Sequence, residues 1–228
     1  MATPFQRARS EEQRAVRRQA ILDTAAAMLT EMPVAQLSLN ELSRRVGLAK
    51  SNVLRYFESR EAVLLDLLDQ ATRAWLAELD DVFAKAVDPR APARERGGQL
   101  ARAFARSLED RTVLCELAGA QAAVLERNVS TAVAATYKRA GIETTGMLAR
   151  LVRRRLPELD EAAALRLAAG ALLVAAALWT HAHPSDAVLA VYESEPELAV
   201  MRVAFRPAVE EFVGVLVSGI LARSGEGT

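Results

Sequence analysis

Apolar residues recur along this chain at helical spacing and never settle into strand alternation. Between about Glu11 and Glu31, the side chains of Ile21, Leu22, Ala25, Met28 and Leu29 fall on one helical face. Pro33 closes that run, because proline cannot continue a helix interior. Residues 1 to about 10 are polar and basic and read as a loose arm. Next, Ser38-Leu39-Asn40-Glu41 fits the capping box S-x-x-E. In that motif Ser38 accepts the amide of residue 41 while Glu41 reaches back to the helix start. Leu39, Leu42 and Val46 line one face, and Gly47 ends the helix by taking the left-handed conformation without strain. A second short helix is expected from about Lys50 to Tyr56, with Val53, Leu54 and Phe57 as apolar anchors. Two short helices joined by a glycine-containing turn form the pattern of a helix-turn-helix, which an ordinary helical hairpin shares.

Ser59 is placed to cap a long helix, from about Arg60 to Val87, along which Val63, Leu64, Leu67, Leu68, Ala71, Trp75, Leu79 and Val82 keep the helical period. Asp88-Pro89-Arg90-Ala91-Pro92 ends it. Further helices are expected at about 93–108, 111–127, 130–155, 160–182 and 197–222, punctuated by Asn128, Pro157, Pro184 and Pro196. The uncharged run from Leu167 to Ala182 is apolar on all sides; at about 16 residues it falls short of the ~20 a spanning helix needs, so it reads as a helix buried all round. The last helix carries Met201, Phe205, Ala208, Phe212, Val215 and Ile220 on one side, with Val209, Val213 and Val217 widening the stripe. Two such helices from each of two subunits would pack as a four-helix bundle about a two-fold axis. Gly170, Ala171 and Ala175 would permit the close approach, and Phe205, Phe212 and Val215 would fill the interface. The alternative is a monomer core that absorbs both stripes.

Composition sharpens the fold class. Alanine and leucine dominate the 228 residues and aromatics make up only 5%, so an all-α protein is expected. Net charge is zero, but its distribution is uneven. Residues 1–60 hold ten Arg or Lys against six Asp or Glu, or +4, and the remainder holds 19 against 23, or −4. A basic head on an acidic body suits phosphate contact through the head alone. Cys115 is the only cysteine and lies in an apolar helical stretch, which reads as a buried thiol in a reducing cytoplasm. The N-terminus shows no apolar signal-peptide core. His181 and His183 diverge on a helix that Pro184 ends; they suit a helix C-terminus better than a metal site. No E-x-x-H, H-E-x-x-H or phosphate-loop motif occurs, so catalytic residues, cofactors, metals and membrane partners are not expected. An all-helical enzyme and a helical protein-interaction module stand as alternatives from other classes.

The stretch from about Arg17 to Trp75 resembles the TetR family of transcriptional regulators. The resemblance rests on Leu37-Ser38-Leu39-Asn40-Glu41-Leu42, the turn Val46-Gly47-Leu48-Ala49-Lys50, and Ser51-Asn52-Val53-Leu54-Arg55-Tyr56-Phe57 followed by Glu58-Ser59-Arg60-Glu61. It implies a three-helix DNA-binding domain over residues 1–58. It further implies a helical body over 59–228 that forms a ligand pocket and a dimer interface. The expected function is a ligand-responsive regulator, in most of the family a repressor, that binds a palindromic double-stranded operator as a homodimer and answers to a small-molecule effector. This chain departs from the family pattern at Ala49, where a serine cap is common, at Leu54, where a phosphate-reaching tyrosine is usual, and at Arg60, where lysine is usual.

On the recognition helix, Lys50, Ser51, Asn52 and Arg55 are the polar candidates for the major groove. Asn52 suits adenine, and Arg55 suits guanine or a phosphate. Tyr56 offers its hydroxyl to a phosphate or its ring to the core. Ser38, Arg44, Arg45 and Arg60 are phosphate candidates; Arg44 and Arg45 adjoin, so they point different ways and one of them is expected merely to be solvated. Arg7, Arg9 and Arg14 are candidates for a minor-groove arm. Trp75, Phe83, Phe104, Tyr137, Met147 and Trp179 could line an apolar effector cavity or serve as plain core.

Overall fold

The computed structural model describes residues 4–225, with side chains described from 11 to 224. Among these residues there are helices and turns and no strand, so the chain is all-α as its composition requires. The helices are α1 (Pro4–Leu29), α2 (Leu39–Val46), α3 (Lys50–Val53), α4 (Arg60–Ala86), α5 (Ala93–Glu109), α6 (Thr112–Ala120), α7 (Thr131–Arg155), α8 (Glu161–Ala182), α9 (Asp186–Ser194) and α10 (Phe205–Gly225). A single turn of tighter helix occupies Val34–Gln36, a longer piece of it Pro196–Met201, and a π-turn Gln121–Leu125. The chain divides into two compact units. One comprises Met1–Gln70 with Ala120–Tyr137, the other Ala71–Gly119 with Lys138–Thr228, and α4 and α7 each contribute to both.

The first unit is built on α1. Ile21, Leu22, Ala25 and Met28 are fully buried, together with Leu42 of α2, Val53 of α3 and Val63 and Leu64 of α4. Each of these side chains larger than alanine stabilises the fold by roughly 1.5–3 kcal/mol through its removal from water. The helix begins at Pro4, not near Glu11, so the backbone expected as a loose arm is helical from its fourth residue. Proline is well suited to a first helical turn, where its missing N–H has no partner to lose. The side chains of Arg7 and Arg9 lie outside the described residues.

In the second unit, α10 packs against both α5 and α8. Val209, Val213 and Val217 of α10 are buried. Against α5 the approach is so close that a Cβ on Gly97 would stand 2.5 Å from Val217 Cγ1. Trp75 and Phe104 meet edge to face at 5.6 Å, and Trp75 donates its indole N–H to Ser107 Oγ at 3.0 Å.

Three expectations are corrected here. The last helix begins at Phe205; Met201 lies in the turn before it, 68% exposed, and a separate α9 precedes that turn. The segment expected as one helix over 111–127 breaks at Ala120 into the π-turn. Finally, α8 is 22 residues long and, by length and composition alone, could cross a membrane, which its uncharged run had seemed too short to do. It is also not buried all round. Ala164, Leu167, Ala168, Ala171, Ala175 and Trp179 are buried, while Leu173 on another face is 72% exposed.

Candidate nucleic-acid interface

The turn between α2 and α3 is set by local chemistry. Ser38 caps α2, its hydroxyl accepting from the Glu41 amide at 3.2 Å. Gly47 ends the helix at φ 73°, a left-handed backbone that only glycine takes without cost. Ala49 precedes α3 without a side-chain cap, and the helix starts at Lys50 rather than later. The expected helix to Tyr56 is shorter than foreseen. Regular α-helix stops at Val53, and the chain tightens through bonds from the Arg55 amide to the Asn52 carbonyl and from the Tyr56 amide to the Val53 carbonyl. Ser59 then caps α4 through the Ala62 amide at 3.1 Å.

Val53 and Phe57 anchor this segment in the core. Lys50, Ser51, Asn52 and Arg55 are all exposed. Leu54, expected as a third anchor, is instead 42% exposed. The anchors Val53 and Phe57 on either side of it, and not its own hydrophobicity, decide its direction, and periodicity over four residues is too short to show that.

The phosphate candidates separate into two groups. On α2 the Glu41 carboxylate, expected to reach back to the helix start, is engaged by Arg44 Nη2 at 2.6 Å and by Arg45 Nε at 2.9 Å. Arg45 also pairs with Glu31 at 2.6 Å. The two guanidiniums hold the Glu41 carboxyl down at about 2. Arg60 is turned inward, donating to the Leu37 carbonyl at 3.0 Å and pairing with Glu61 at 2.9 Å. Arg14, Arg17, Lys50 and Arg55, by contrast, have no carboxylate partner among the described residues. Arg18 is held by Asp66 at 2.7 Å and lies over the Phe57 ring at 4.3 Å, which fixes the register of α1 against the end of the recognition segment. Tyr56 is half-buried, with the Arg14 guanidinium 5.9 Å above its ring.

Glu58 makes a link that the sequence did not suggest. Its carboxylate accepts from the Ser130 amide at 2.6 Å and from the Ser130 hydroxyl at 2.8 Å, at the start of α7. Those two bonds lower its pKa from the ordinary carboxylate value.

Trp75, Phe83 and Phe104 are fully buried, and Trp75 meets Phe104. Trp179 is stacked on His183 at 3.9 Å, edge-on to Phe205 at 5.0 Å, and donates to Glu116 at 3.1 Å. Met147 is half-buried in the second unit, whereas Tyr137 belongs to the first. Of the interface candidates, Ala171 and Ala175 are buried within the chain itself and Gly170 lies against Leu216 of α10. Phe212 and Val215 are 54% and 62% exposed, and Leu173 joins them as an uncovered apolar residue. Cys115 is buried, and burial pushes its thiol up to about 12, which leaves it unreactive. His183 stacks on tryptophan, and the described residues contain no group of His, Cys, Asp and Glu able to hold a metal ion.

Comparison with known proteins gives consistent matches over both parts of the chain. Residues 21–67 match the family model of bacterial regulatory proteins, tetR family, and residues 69–224 match that of the tetracyclin repressor-like C-terminal domain. The HTH-type transcriptional regulator EthR of Mycobacterium tuberculosis is 43% identical over 51 residues, 22% of this chain and 24% of that protein. The match thus spans about a quarter of that relative's length. Among solved structures, a TetR family regulator from Streptomyces coelicolor A3(2) aligns with a TM-score of 0.54 at 19% identity, covering 90% of this chain and 98% of the other. The multidrug binding protein EbrR aligns at 0.53 and 20%, covering 90% and 94%. At these identities the structural likeness speaks for the fold.

Proposed function

The chain belongs to the TetR family of bacterial transcriptional regulators, and we propose that it is a ligand-responsive repressor that binds a palindromic operator as a homodimer. One observation carries the reading. The recognition segment anchors Val53 and Phe57 inward and presents Lys50, Ser51, Asn52, Leu54 and Arg55 outward, on a turn locked by Gly47. Such a row fits the major groove, where base edges display a readable pattern. Asn52 pairs with adenine, and the exposed Leu54 takes the methyl of thymine. Ser38, at the exposed start of α2, offers its hydroxyl and helix amides to a phosphate.

In this proposal residues 1–58 form the DNA-binding domain and 59–228 the effector and dimer domain. Leu173, Phe212 and Val215 form the centre of the subunit interface, because uncovered side chains of this size seek a second apolar face. The effector is an apolar small molecule held among the helices of the second unit, with Trp75, Phe104 and the adaptable Met147 as lining. Its influence reaches DNA through α7, whose first turn is tied to Glu58 by Ser130. An effector acts only by its differential affinity for the binding-competent state. The protein works in the cytoplasm.

The test is selection of duplexes from a random pool, followed by fluorescence anisotropy across a salt series with a scrambled duplex as control. A palindromic sequence with half-sites about one helical turn apart is expected, bound well ahead of the scramble and weakening steeply with salt. No binding to any duplex at low salt would refute the proposal.

A further inference from the structure

Between the first exposed turns of α1 and the end of the recognition segment lies an open groove of about 320 Å³, lined by Gln13, Arg14, Arg17, Arg55 and Tyr56. Its composition is unusual for a surface groove. It has three guanidiniums, an amide and a phenol, and no carboxylate lines it among the described residues. None of the three arginines has an acidic partner among the described residues. On α2 of the same unit, two adjacent arginines are both satisfied by Glu41, so the lack of acids here is local.

The groove is also built. Arg18, one turn beyond Arg14, is pinned by Asp66 and stacked on Phe57, which sets α1 against the recognition segment. Arg14 donates to the Arg55 carbonyl at 3.4 Å and lies over the Tyr56 ring. The aromatic floor and the fixed register hold cations together that would otherwise repel one another. An anion placed among them relieves that repulsion and gains charge-assisted hydrogen bonds from forked donors.

The geometry points to a phosphate clamp. Arg14, Arg17 and Arg55, on a Tyr56 floor, take one backbone phosphodiester of the DNA flanking the half-site read by the recognition segment. This rests on the DNA-binding reading above and deepens it in two ways. It brings α1 into the interface, and it assigns Arg55 to the backbone, leaving base recognition to Lys50, Ser51, Asn52 and Leu54. A backbone contact positions the protein and carries no sequence information.

The experiment compares the full-length wild type with Arg14→Ala/Arg17→Ala and with Arg14→Lys/Arg17→Lys, on the selected operator and on scrambled duplex. The alanine variant should bind both duplexes about tenfold more weakly, with the operator-to-scramble ratio unchanged. Its slope of log affinity against log salt should be shallower by about 1 for each head engaged. The lysine variant should recover most of the slope, since it keeps the charges. A scan of neutral methylphosphonates along the operator should then find one position per half-site whose neutralisation weakens the wild type and not the alanine variant. Both altered side chains are exposed, and circular dichroism should show the helical content unchanged. If the wild type binds operator specifically while the alanine variant keeps its affinity and slope, the clamp is refuted and the DNA-binding reading stands. A variant that loses operator binding but not scrambled binding would show Arg14 and Arg17 reading bases, which also overturns the clamp. A wild type that binds no duplex sinks both.

Discussion

The DNA-binding head and the helices α8 and α10 are each incomplete in the isolated chain, but in opposite currencies. The head leaves cations without counter-charges: Arg14, Arg17, Lys50 and Arg55 have no acidic partner among the described residues. The two helices leave apolar surface without cover, at Leu173, Phe212 and Val215. What a surface leaves unsatisfied specifies what completes it. Unpaired guanidiniums call for phosphate, and uncovered aliphatic and aromatic side chains call for another apolar face. The head also contains its own control, because Arg44 and Arg45 on α2 are already satisfied by Glu41 and Glu31.

The largest effect should come from the apolar side. Phe212→Glu places a charge on the uncovered face of α10 while leaving Val209, Val213 and Val217, on the buried face, untouched. Light scattering should then report a monomer that retains its helical circular dichroism. Operator affinity should fall by on the order of 100-fold or more, because two linked heads bind a palindrome with an avidity that one head cannot reach. A dimer that survives this change would place the interface elsewhere. The same substitution at Val213 is the contrast. It buries an unpaired charge between α10 and its neighbours, and the chain should fail to fold.

A smaller effect separates the two sets of arginines. Arg55→Ala should weaken operator binding about tenfold and flatten the salt dependence, as loss of one phosphate contact requires. Arg44→Ala should cost less than about threefold in the same anisotropy series, because a guanidinium shared with a nearby carboxylate has less to gain from DNA. Equal losses would mean that the ion pairs of α2 open on binding and that pairing in the free chain does not predict role.

This contrast marks where the sequence stops being informative. The elements that local chemistry decides were legible. Ser38 and Ser59 as caps, Gly47 as the left-handed stop, and the long helix after Ser59 all follow from short-range rules, and all are present. So were the family and the all-α class. Contacts between distant segments were not legible. The ion pair of Arg45 with Glu31, the hold of Asp66 on Arg18 and the cap that Glu58 supplies to Ser130 join residues 14, 48 and 72 apart. No pattern along the chain announces them. Arg14 illustrates the cost. Along the chain it reads only as a candidate for the minor groove, with no neighbour from which a site could be built. In the fold it stands over Tyr56, 42 residues away. Leu54 failed for a related reason: which way a residue faces in a helix of one turn is set by the two anchors beside it and not by its own hydrophobicity.

The smallest effect tests whether the α2 arginines are held in reserve or simply part of the fold. Glu41→Gln removes the charge that binds Arg44 and Arg45 while keeping a side chain of the same shape. Arg44 is then free while Arg45 keeps Glu31, and affinity for operator and scramble alike should rise about twofold, with a slightly steeper salt dependence. The same variant has a signature in stability. Because the two guanidiniums hold the Glu41 carboxyl at about 2 in the folded chain, below the ordinary value of 4.5, the pairing stabilises the fold fully above that ordinary value. The contribution disappears as pH falls from there towards 2, where the carboxyl takes up its proton in the folded state as well. Melts of wild type and Glu41→Gln should therefore differ by a small, constant amount from neutral pH down to about 5, and converge below it. A difference that stays constant down to the lowest accessible pH would mean that the stabilising term is packing or the Ser38 cap, not the charge. Arg44 would then be as unpaired in solution as the arginines of the groove.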